Sequence, residues 1–190
     1  MRALIAAMAV LASAALASAE PVEIEGVRFA PSAQVGGQTL VLNGAGLRTR
    51  AFFKVYAAGL YVPQAARTPA ALLAQTGPRR VVISMLREVD ADQFVTAFTG
   101  GLEDNNSEAQ RAALASQIAA FQANLKGLGV VHQGDVLHFE YTPETGTRIL
   151  RAGQPQGAAI PGAEFFTAVL RVWLGEHPVD AGLKRGFLGL

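Results

Sequence analysis

Cysteine is absent from this chain of 190 residues. Its absence excludes disulfide bonds, thiol nucleophiles and thiolate metal sites, so the fold must be stabilised by its hydrophobic core. An excess of one charge is also lacking, since 16 Lys and Arg stand against 15 Asp and Glu. A chain with balanced charge has no overall attraction for nucleic acid or for an anionic membrane, so we expect no nucleic-acid partner.

Histidine is scarce, with three copies in the chain. His132 lies near predicted turns, His177 follows a predicted helix, and His138 alternates with Leu137 and Phe139, which is typical of a solvent-facing strand residue. None of them belongs to a G-x-S-x-G or H-E-x-x-H motif. We therefore predict no metal site, no serine-histidine catalysis and no cofactor.

The first nineteen residues are typical of a secretory signal peptide. Arg2 precedes an apolar run over residues 3–17, and Ala17-Ser18-Ala19 forms an A-x-A cleavage site. A membrane anchor is the alternative, but the run is Ala-rich and short for a bilayer core of about 30 Å. We predict a signal peptide over 1–19, a single domain over 20–190, no transmembrane segment in the mature chain, and a periplasmic or secreted location.

Strand and helix patterns alternate along the predicted domain. Period-2 apolar segments predict strands, and Gly44 and Gly46 predict a turn. Apolar residues at helical spacing predict amphipathic helices, of which one over 107–126 has Ser107 as its N-cap. Together they indicate an α+β domain with an antiparallel sheet and helices on one face. The predicted strands are 22–24, 27–29, two within 38–61, 80–87, 136–141 and 147–150, and the predicted helices are 69–74, one from Asp90, 107–126, 163–174 and a short one after Pro178.

Arg48 and Tyr56 are the residues that point most directly to a binding site. An arginine beside an apolar sheet, with a tyrosine across a hairpin from it, can hold a carboxylate by charge-assisted hydrogen bonds. The same pattern also suits a surface arginine and a core tyrosine, and the residues alone leave both interpretations open.

A series of motifs in this order is similar to the chalcone isomerase superfamily, and specifically to its bacterial, exported chalcone-isomerase-like proteins. The resemblance extends along nearly all of the predicted mature chain. Its motifs are Gly44-Ala45-Gly46-Leu47-Arg48, F-K-V-Y-A-A-G-L-Y over 53–61, Gly134-Asp135, F-E-Y-T-P over 139–143, Gly146-Thr147, E-F-F over 164–166, W-L-G over 173–175 and P-V-D over 178–180.

The resemblance implies an open-faced β-sandwich with a ligand cleft between sheet and helices. The superfamily contains enzymes that close a chalcone into a flavanone, and non-catalytic members that bind fatty acids. Arg48 matches the arginine that meets the oxyanion in the enzymes and the carboxylate in the fatty-acid binders, and Tyr56 matches a tyrosine of the fatty-acid binders. Phe94 and Gly101 fall where the plant enzymes have a catalytic tyrosine and an active-site asparagine. Both hydrogen-bonding groups are therefore absent, unless the hydroxyl of Thr96 or Thr99 takes the place of one of them.

The absent groups favour binding over catalysis, because losing one oxyanion donor typically costs about 10²–10³ in rate. We therefore expect a periplasmic, non-catalytic protein that binds a small apolar anion, such as a fatty acid. Two alternatives stay open: an isomerase or intramolecular lyase acting on a chalcone-like phenol, and a structural or assembly partner without ligand. The predicted ligand-binding residues are Arg48 and Tyr56 for the carboxylate and Phe94, Phe98 and Phe166 for the apolar walls, with Phe53 and Phe165 as further wall residues.

Overall fold

The computed structural model describes residues 20–190, so the predicted signal peptide lies outside the described residues. The strands are β1 (Val22–Ile24), β2 (Val27–Phe29), β3 (Ser32–Val35), β4 (Gln38–Arg50), β5 (Phe53–Val62), β6 (Arg79–Met85), β7 (Val89–Asp90), β8 (Val130–Val131), β9 (Val136–Thr142), β10 (Gly146–Arg151) and β11 (Gln154–Pro155). The helices are α1 (Pro69–Leu73), α2 (Ala91–Asn105), α3 (Glu108–Ala113), α4 (Ala115–Lys126), α5 (Ala163–Leu174) and α6 (Ala181–Phe187). In this described part, no helix combines the length and the apolar character needed to cross a membrane.

Seven strands form one antiparallel sheet in the order β11-β10-β9-β6-β5-β4-β3. Its longest members are β4 and β5, which are joined by a two-residue turn at Ala51 and Phe52. Two small pairs, β1-β2 and β7-β8, lie outside this sheet. Helices cover one face of the sheet, so the predicted α+β fold is confirmed.

The main core lies between the inner face of the sheet and the helices. Alternate residues of β5 point inward, beginning with Tyr56 and Ala58, and are buried against α2, α4 and α5. Helix α5 buries residues around most of its circumference, which places it at the centre of the helical layer. Phe98, Phe121, Phe139 and Trp173 form an aromatic cluster with centroid separations between 4.8 and 6.1 Å.

The opposite face of the sheet is partly covered by the β1-β2 hairpin. Phe29 packs there with Ala45 and Ala57. A Cβ atom added to Gly59 would lie 2.6 Å from Cδ1 of Phe29, so glycine is needed at this position for the ring to reach the sheet.

Gly44 and Gly46 do not form a turn, and the prediction of one there was wrong. Both lie inside strand β4, where α6 packs directly on the strand. A Cβ atom at Gly44 would lie 2.1 Å from the carbonyl oxygen of Gly186, and one at Gly46 would lie 3.1 Å from Cα of Leu183. The two glycines therefore permit close contact between strand β4 and helix α6. The chain turns later, where Ala51 has a φ of 52°.

The helix predicted over 107–126 is two helices. Ser107 begins α3 with a capping box, in which Gln110 donates its backbone N–H to the Ser107 hydroxyl and accepts from the Ser107 N–H, as predicted for an N-cap. Leu114 leaves the helical conformation, with φ −106° and ψ 12°, and α4 begins after it. The apolar spacing continues across this break, which is why the pattern alone did not reveal it.

Candidate functional site

Arg48 and Tyr56 are directly opposite each other on β4 and β5. Residues paired in this way point to the same face of an antiparallel sheet, which here is the helix-covered face. Tyr56 is buried and Arg48 is half-buried. The guanidinium carbon of Arg48 lies 5.8 Å from the centre of the Tyr56 ring, so the sheet register brings the two predicted carboxylate-binding residues together.

The Tyr56 hydroxyl is oriented by the chain's one tryptophan. Nε1 of Trp173 donates a hydrogen bond to the Tyr56 oxygen over 2.9 Å. Burial raises the pKa of the hydroxyl, against the opposing effect of the Arg48 charge. Tyr56 is therefore neutral at ordinary pH, and because its oxygen already accepts from Trp173, its own proton is free to be donated to another group.

Arg48 carries a buried donor that nothing in the described chain accepts. Its Nε atom is inaccessible to solvent and has no hydrogen-bond partner within residues 20–190. Arg48 also takes part in no ion pair within these residues. The nearby carboxylate of Asp180 instead accepts from Thr49 and from the backbone of Leu183. A buried donor without an acceptor is costly, and an anion beside it would remove that cost.

These two residues form part of the wall of a cavity of about 260 Å³ between the β4-β5 hairpin and helix α2. Three arginines and no carboxylate line it, and most of the remaining wall is apolar. The lining residues are Arg48, Arg50, Ala51, Phe53, Val55, Tyr56, Arg87, Val89, Gln93, Phe94, Ala97, Phe98, Val172 and Val179. We call this space the arginine cavity.

Larger grooves of about 580 and 770 Å³ lie elsewhere on the described surface. The first includes Asp104 and Glu176, the second includes Glu164, and each also has two Lys or Arg residues. The carboxylates offset part of that positive charge, whereas no carboxylate lines the arginine cavity, so volume alone does not make these grooves better sites for an anion. No group of three or more histidine, aspartate and glutamate side chains between residues 20 and 190 is arranged to hold a metal ion.

The sequence profile of the family described as chalcone isomerase-like matches residues 21–189. The chain belongs to the chalcone isomerase-like family. A solved structure with a similar fold is the fatty-acid binding protein of Arabidopsis thaliana, with a TM-score of 0.67 over 89% of this chain and 96% of that one. The two sequences are 15% identical, so this likeness is one of fold. None of the curated protein sequences matches the chain. The predicted family membership is thus confirmed.

Within this chalcone isomerase-like domain, four of the five predicted ligand-binding residues line the arginine cavity. Phe94 and Phe98 form its helical wall beside Arg48 and Tyr56, and Phe53 lies at its mouth. Whether they hold a ligand remains a prediction.

Phe166 does not line the arginine cavity. It stacks on Tyr141, with ring centres 5.7 Å apart, and lies 5.3 Å from the guanidinium carbon of Arg79. Phe165 is also outside the cavity, since its ring packs on Phe121. Nearly two helical turns separate Phe166 from Val172, the residue of α5 that lines the cavity. The sequence pattern does not distinguish buried residues at the two ends of a buried helix.

The two positions that the resemblance matches to hydrogen-bonding residues of plant chalcone isomerases offer no such group here. Phe94 presents a ring to the cavity, and a Cβ atom at Gly101 would lie 2.7 Å from Cγ1 of Val172. Thr96 and Thr99 are not among the lining residues. The Thr96 hydroxyl donates to the backbone of Asp92, and that of Thr99 accepts from Gln122. Tyr56 therefore carries the one hydroxyl among the residues that line the cavity.

Three residues in or beside the arginine cavity were not predicted as part of the site from the sequence. Trp173 was part of a family motif, but its contact with Tyr56 joins residues 117 positions apart. Arg50 and Arg87 come from different strand ends, and only the folded sheet places them beside Arg48. The signal that could have found Arg50 is its spacing from Arg48 on one strand, since residues two apart share a face.

Proposed function

We propose that this protein is a periplasmic, non-catalytic member of its family that binds a small apolar carboxylate, such as a fatty acid, in the arginine cavity. The observation that carries the proposal is the buried, unpaired Nε of Arg48 beside the Tyr56 hydroxyl, whose proton is free. In the bound state, the carboxylate accepts from both residues while the hydrocarbon part lies against Phe94 and Phe98.

The physical balance of the cavity favours such a ligand. A carboxylate that leaves water loses hydration, and charge-assisted hydrogen bonds from a guanidinium and a phenol compensate for that loss. The cavity volume of about 260 Å³ is near the lower end of ordinary ligand pockets. It therefore favours a short or medium chain, or an aromatic acid, over a long acyl chain enclosed along its full length.

Two further observations support the proposal. The fold is similar to that of a fatty-acid binding protein from Arabidopsis thaliana, although at an identity that carries fold and not function. The periplasmic location is inferred from residues 1–19, whose composition is that of a signal peptide.

Isothermal titration calorimetry with decanoic acid, a medium-chain fatty acid of the size that the cavity favours, tests the site. Arg48→Ala is expected to weaken binding by about 2–5 kcal/mol, because the carboxylate would remain buried without its charged partner. Tyr56→Phe is expected to weaken it by about 1.5–3 kcal/mol, because one hydrogen bond to a charged group is lost. The methyl ester of the same acid should bind weakly to the parent, since it presents no anion to Arg48.

Arg67→Ala is the matched control, because Arg67 is exposed and lies outside the arginine cavity. It should bind the acid as the parent does. Thermal melts of all variants are required, because Tyr56→Phe also removes the acceptor of the Trp173 N–H. Equal affinity of the parent and Arg48→Ala, both folded, would refute the site.

The isomerase alternative makes a separate prediction. We expect no appreciable conversion of naringenin chalcone to its flavanone, because Phe94 and Gly101 provide no donor for the developing oxyanion. Absorbance at the chalcone band follows the reaction directly. Turnover that disappears in Arg48→Ala would establish the enzyme instead.

The third alternative, a structural partner without ligand, differs in what the purified protein contains. Native mass spectrometry of protein recovered after export should show a bound acyl species that is reduced in Arg48→Ala. A parent that carries no acyl species and binds no added acid would favour the structural alternative. The same spectrum reports the mature N-terminus, which the signal-peptide prediction places at Glu20.

A further inference from the structure

The turn between β4 and β5 leaves two aromatic side chains in solvent. Phe52 is 100% exposed and Phe53 is 60% exposed. Isolated apolar side chains are common on protein surfaces, but two adjacent phenylalanines at the end of a hairpin are not explained by the core of this domain. We call Phe52 and Phe53 the aromatic tip.

Two arginines without carboxylate partners adjoin the aromatic tip. Arg50 and Arg87 are exposed, and neither takes part in an ion pair within the described chain. The guanidinium carbon of Arg87 lies 4.7 Å from the centre of the Phe53 ring. Lys54 is nearby as well, but its ammonium group pairs with Glu25 over 2.6 Å. The carboxylate of Glu88, next to Arg87 in the chain, contacts His132 over 2.8 Å and not either arginine, so Arg50 and Arg87 leave positive charge beside the aromatic tip.

The aromatic tip also adjoins the entrance of the arginine cavity. Arg50, Ala51, Phe53 and Arg87 line that cavity, whereas Phe52 does not. Any surface that covers the tip therefore meets the opening through which a ligand enters or leaves.

From these observations we propose that the aromatic tip docks on the surface of a bilayer that contains anionic lipid, where the cavity exchanges its ligand. Phenylalanine partitions into the boundary between headgroups and acyl chains, while Arg50 and Arg87 contact lipid phosphates. Free positive charge beside exposed rings complements an anionic bilayer surface. The ligand-exchange part rests on the proposed binding of a fatty acid, and the docking part does not.

Vesicle flotation separates the two parts. Protein recovered after export should float with vesicles of phosphatidylcholine and phosphatidylglycerol, and much less with phosphatidylcholine alone. Added salt should weaken the binding, because the arginine contribution is screened. Phe52→Ser should lower the partition coefficient about tenfold or more, the factor that corresponds to burying one phenylalanine.

Leu190→Ser is the matched control, because Leu190 is 69% exposed but lies outside the arginine cavity and the aromatic tip. It should float as the parent does. Phe52→Ser should bind decanoic acid in solution with the affinity of the parent, since Phe52 does not line the cavity. That solution measurement tests fatty-acid binding independently of any bilayer.

Three results would overturn docking. They are a parent that does not float with anionic vesicles, equal flotation of the parent and Phe52→Ser, and an equal loss of flotation in Leu190→Ser and Phe52→Ser. If the parent instead self-associates in sedimentation experiments and Phe52→Ser abolishes this without changing flotation, the tip is a contact between copies of the chain. None of these results bears on the affinity measured in solution.

Discussion

Gly100 and Gly101 are neighbours in helix α2, yet their surroundings differ. A Cβ atom at Gly100 would meet nothing within 4 Å, whereas one at Gly101 would lie 2.7 Å from Cγ1 of Val172 and 3.2 Å from Cγ1 of Val179. Val172 is a buried residue of α5 with a stiff, β-branched side chain. Gly101 thus permits the close approach of α2 and α5 behind the arginine cavity.

Alanine at these two positions should have opposite effects on stability. Gly100→Ala is expected to raise the free energy of unfolding by about 0.5–1 kcal/mol, because alanine favours the helix. Gly101→Ala gains the same helix preference, but its methyl group overpacks the contact between α2 and α5, which costs about 1–3 kcal/mol. Urea denaturation of both variants should therefore separate them by that cost. Equal stabilities would mean that α2 and α5 move apart easily.

At the level of single residues, the sequence predicted those neighbours whose contact is decided by strand pairing. Arg48 and Tyr56 came from a family motif, and their register across a short hairpin ensures that they meet. Trp173 and Arg87 could not be placed, because their positions depend on how α5 and β6 pack against that hairpin. Phe166 lies outside the arginine cavity, and its position was not predictable for the same reason: its burial followed from the sequence, but its neighbours did not.

One carboxylate helps to attach helix α6 to the sheet. Asp180 caps the helix by accepting the Leu183 N–H over 2.9 Å, and its other oxygen accepts the backbone N–H and the hydroxyl of Thr49 in β4. A helix of seven residues is not stable alone, so its position depends on such contacts and on close packing against Gly44 and Gly46.

Asp180→Ala should therefore lower the free energy of unfolding by about 0.5–2 kcal/mol, the usual cost of losing an N-cap. Asp90 provides the control, because it stands at the N-cap position of α2 without a side-chain capping bond. Asp90→Ala should change stability by less than about 0.5 kcal/mol in the same denaturation experiment. Similar losses in both variants would show that the Asp180 hydrogen bonds do not stabilise the helix.

The elements were predictable where the local pattern is strong. The hairpin of β9 and β10 and helix α5 follow from their apolar periods, and both lie where they were expected. The strands β3, β7, β8 and β11 were missed, since each is short and is defined by its partner. The pairing of β6 with β9 joins segments some fifty residues apart, and no local signal specifies it.

Two ionisable groups give the whole molecule a pH-dependent stability. Burial, reinforced by the charge of Arg80, lowers the pKa of His138 below its ordinary value of 6.5, although Glu140 opposes this. Burial alone would raise the pKa of Asp180, but hydrogen bonds from Thr49 and Leu183 lower it below 3.8. In both cases the unfolded chain binds a proton more readily than the folded one.

Stability should consequently fall as pH decreases, in two windows. The first begins at about pH 6.5, where His138 protonates in the unfolded chain, and the second begins near 3.8, where Asp180 does so. His138→Gln should reduce the loss in the first window and leave the second unchanged. Urea denaturation on both sides of pH 6.5 provides the measurement, and an unchanged first window in His138→Gln would contradict the assignment.

Helix α5 forms the middle of the molecule although it is made almost last. It ends at Leu174 and packs against α1, α2, α6 and β10, all but one of which precede it in the chain. Until its residues leave the ribosome, the apolar faces of the sheet and of α2 are only partly covered, and a nascent chain cannot complete a stable core. For the exported protein that we propose, this timing keeps the polypeptide unfolded enough to be threaded through a translocation channel until nearly its whole length has been synthesised.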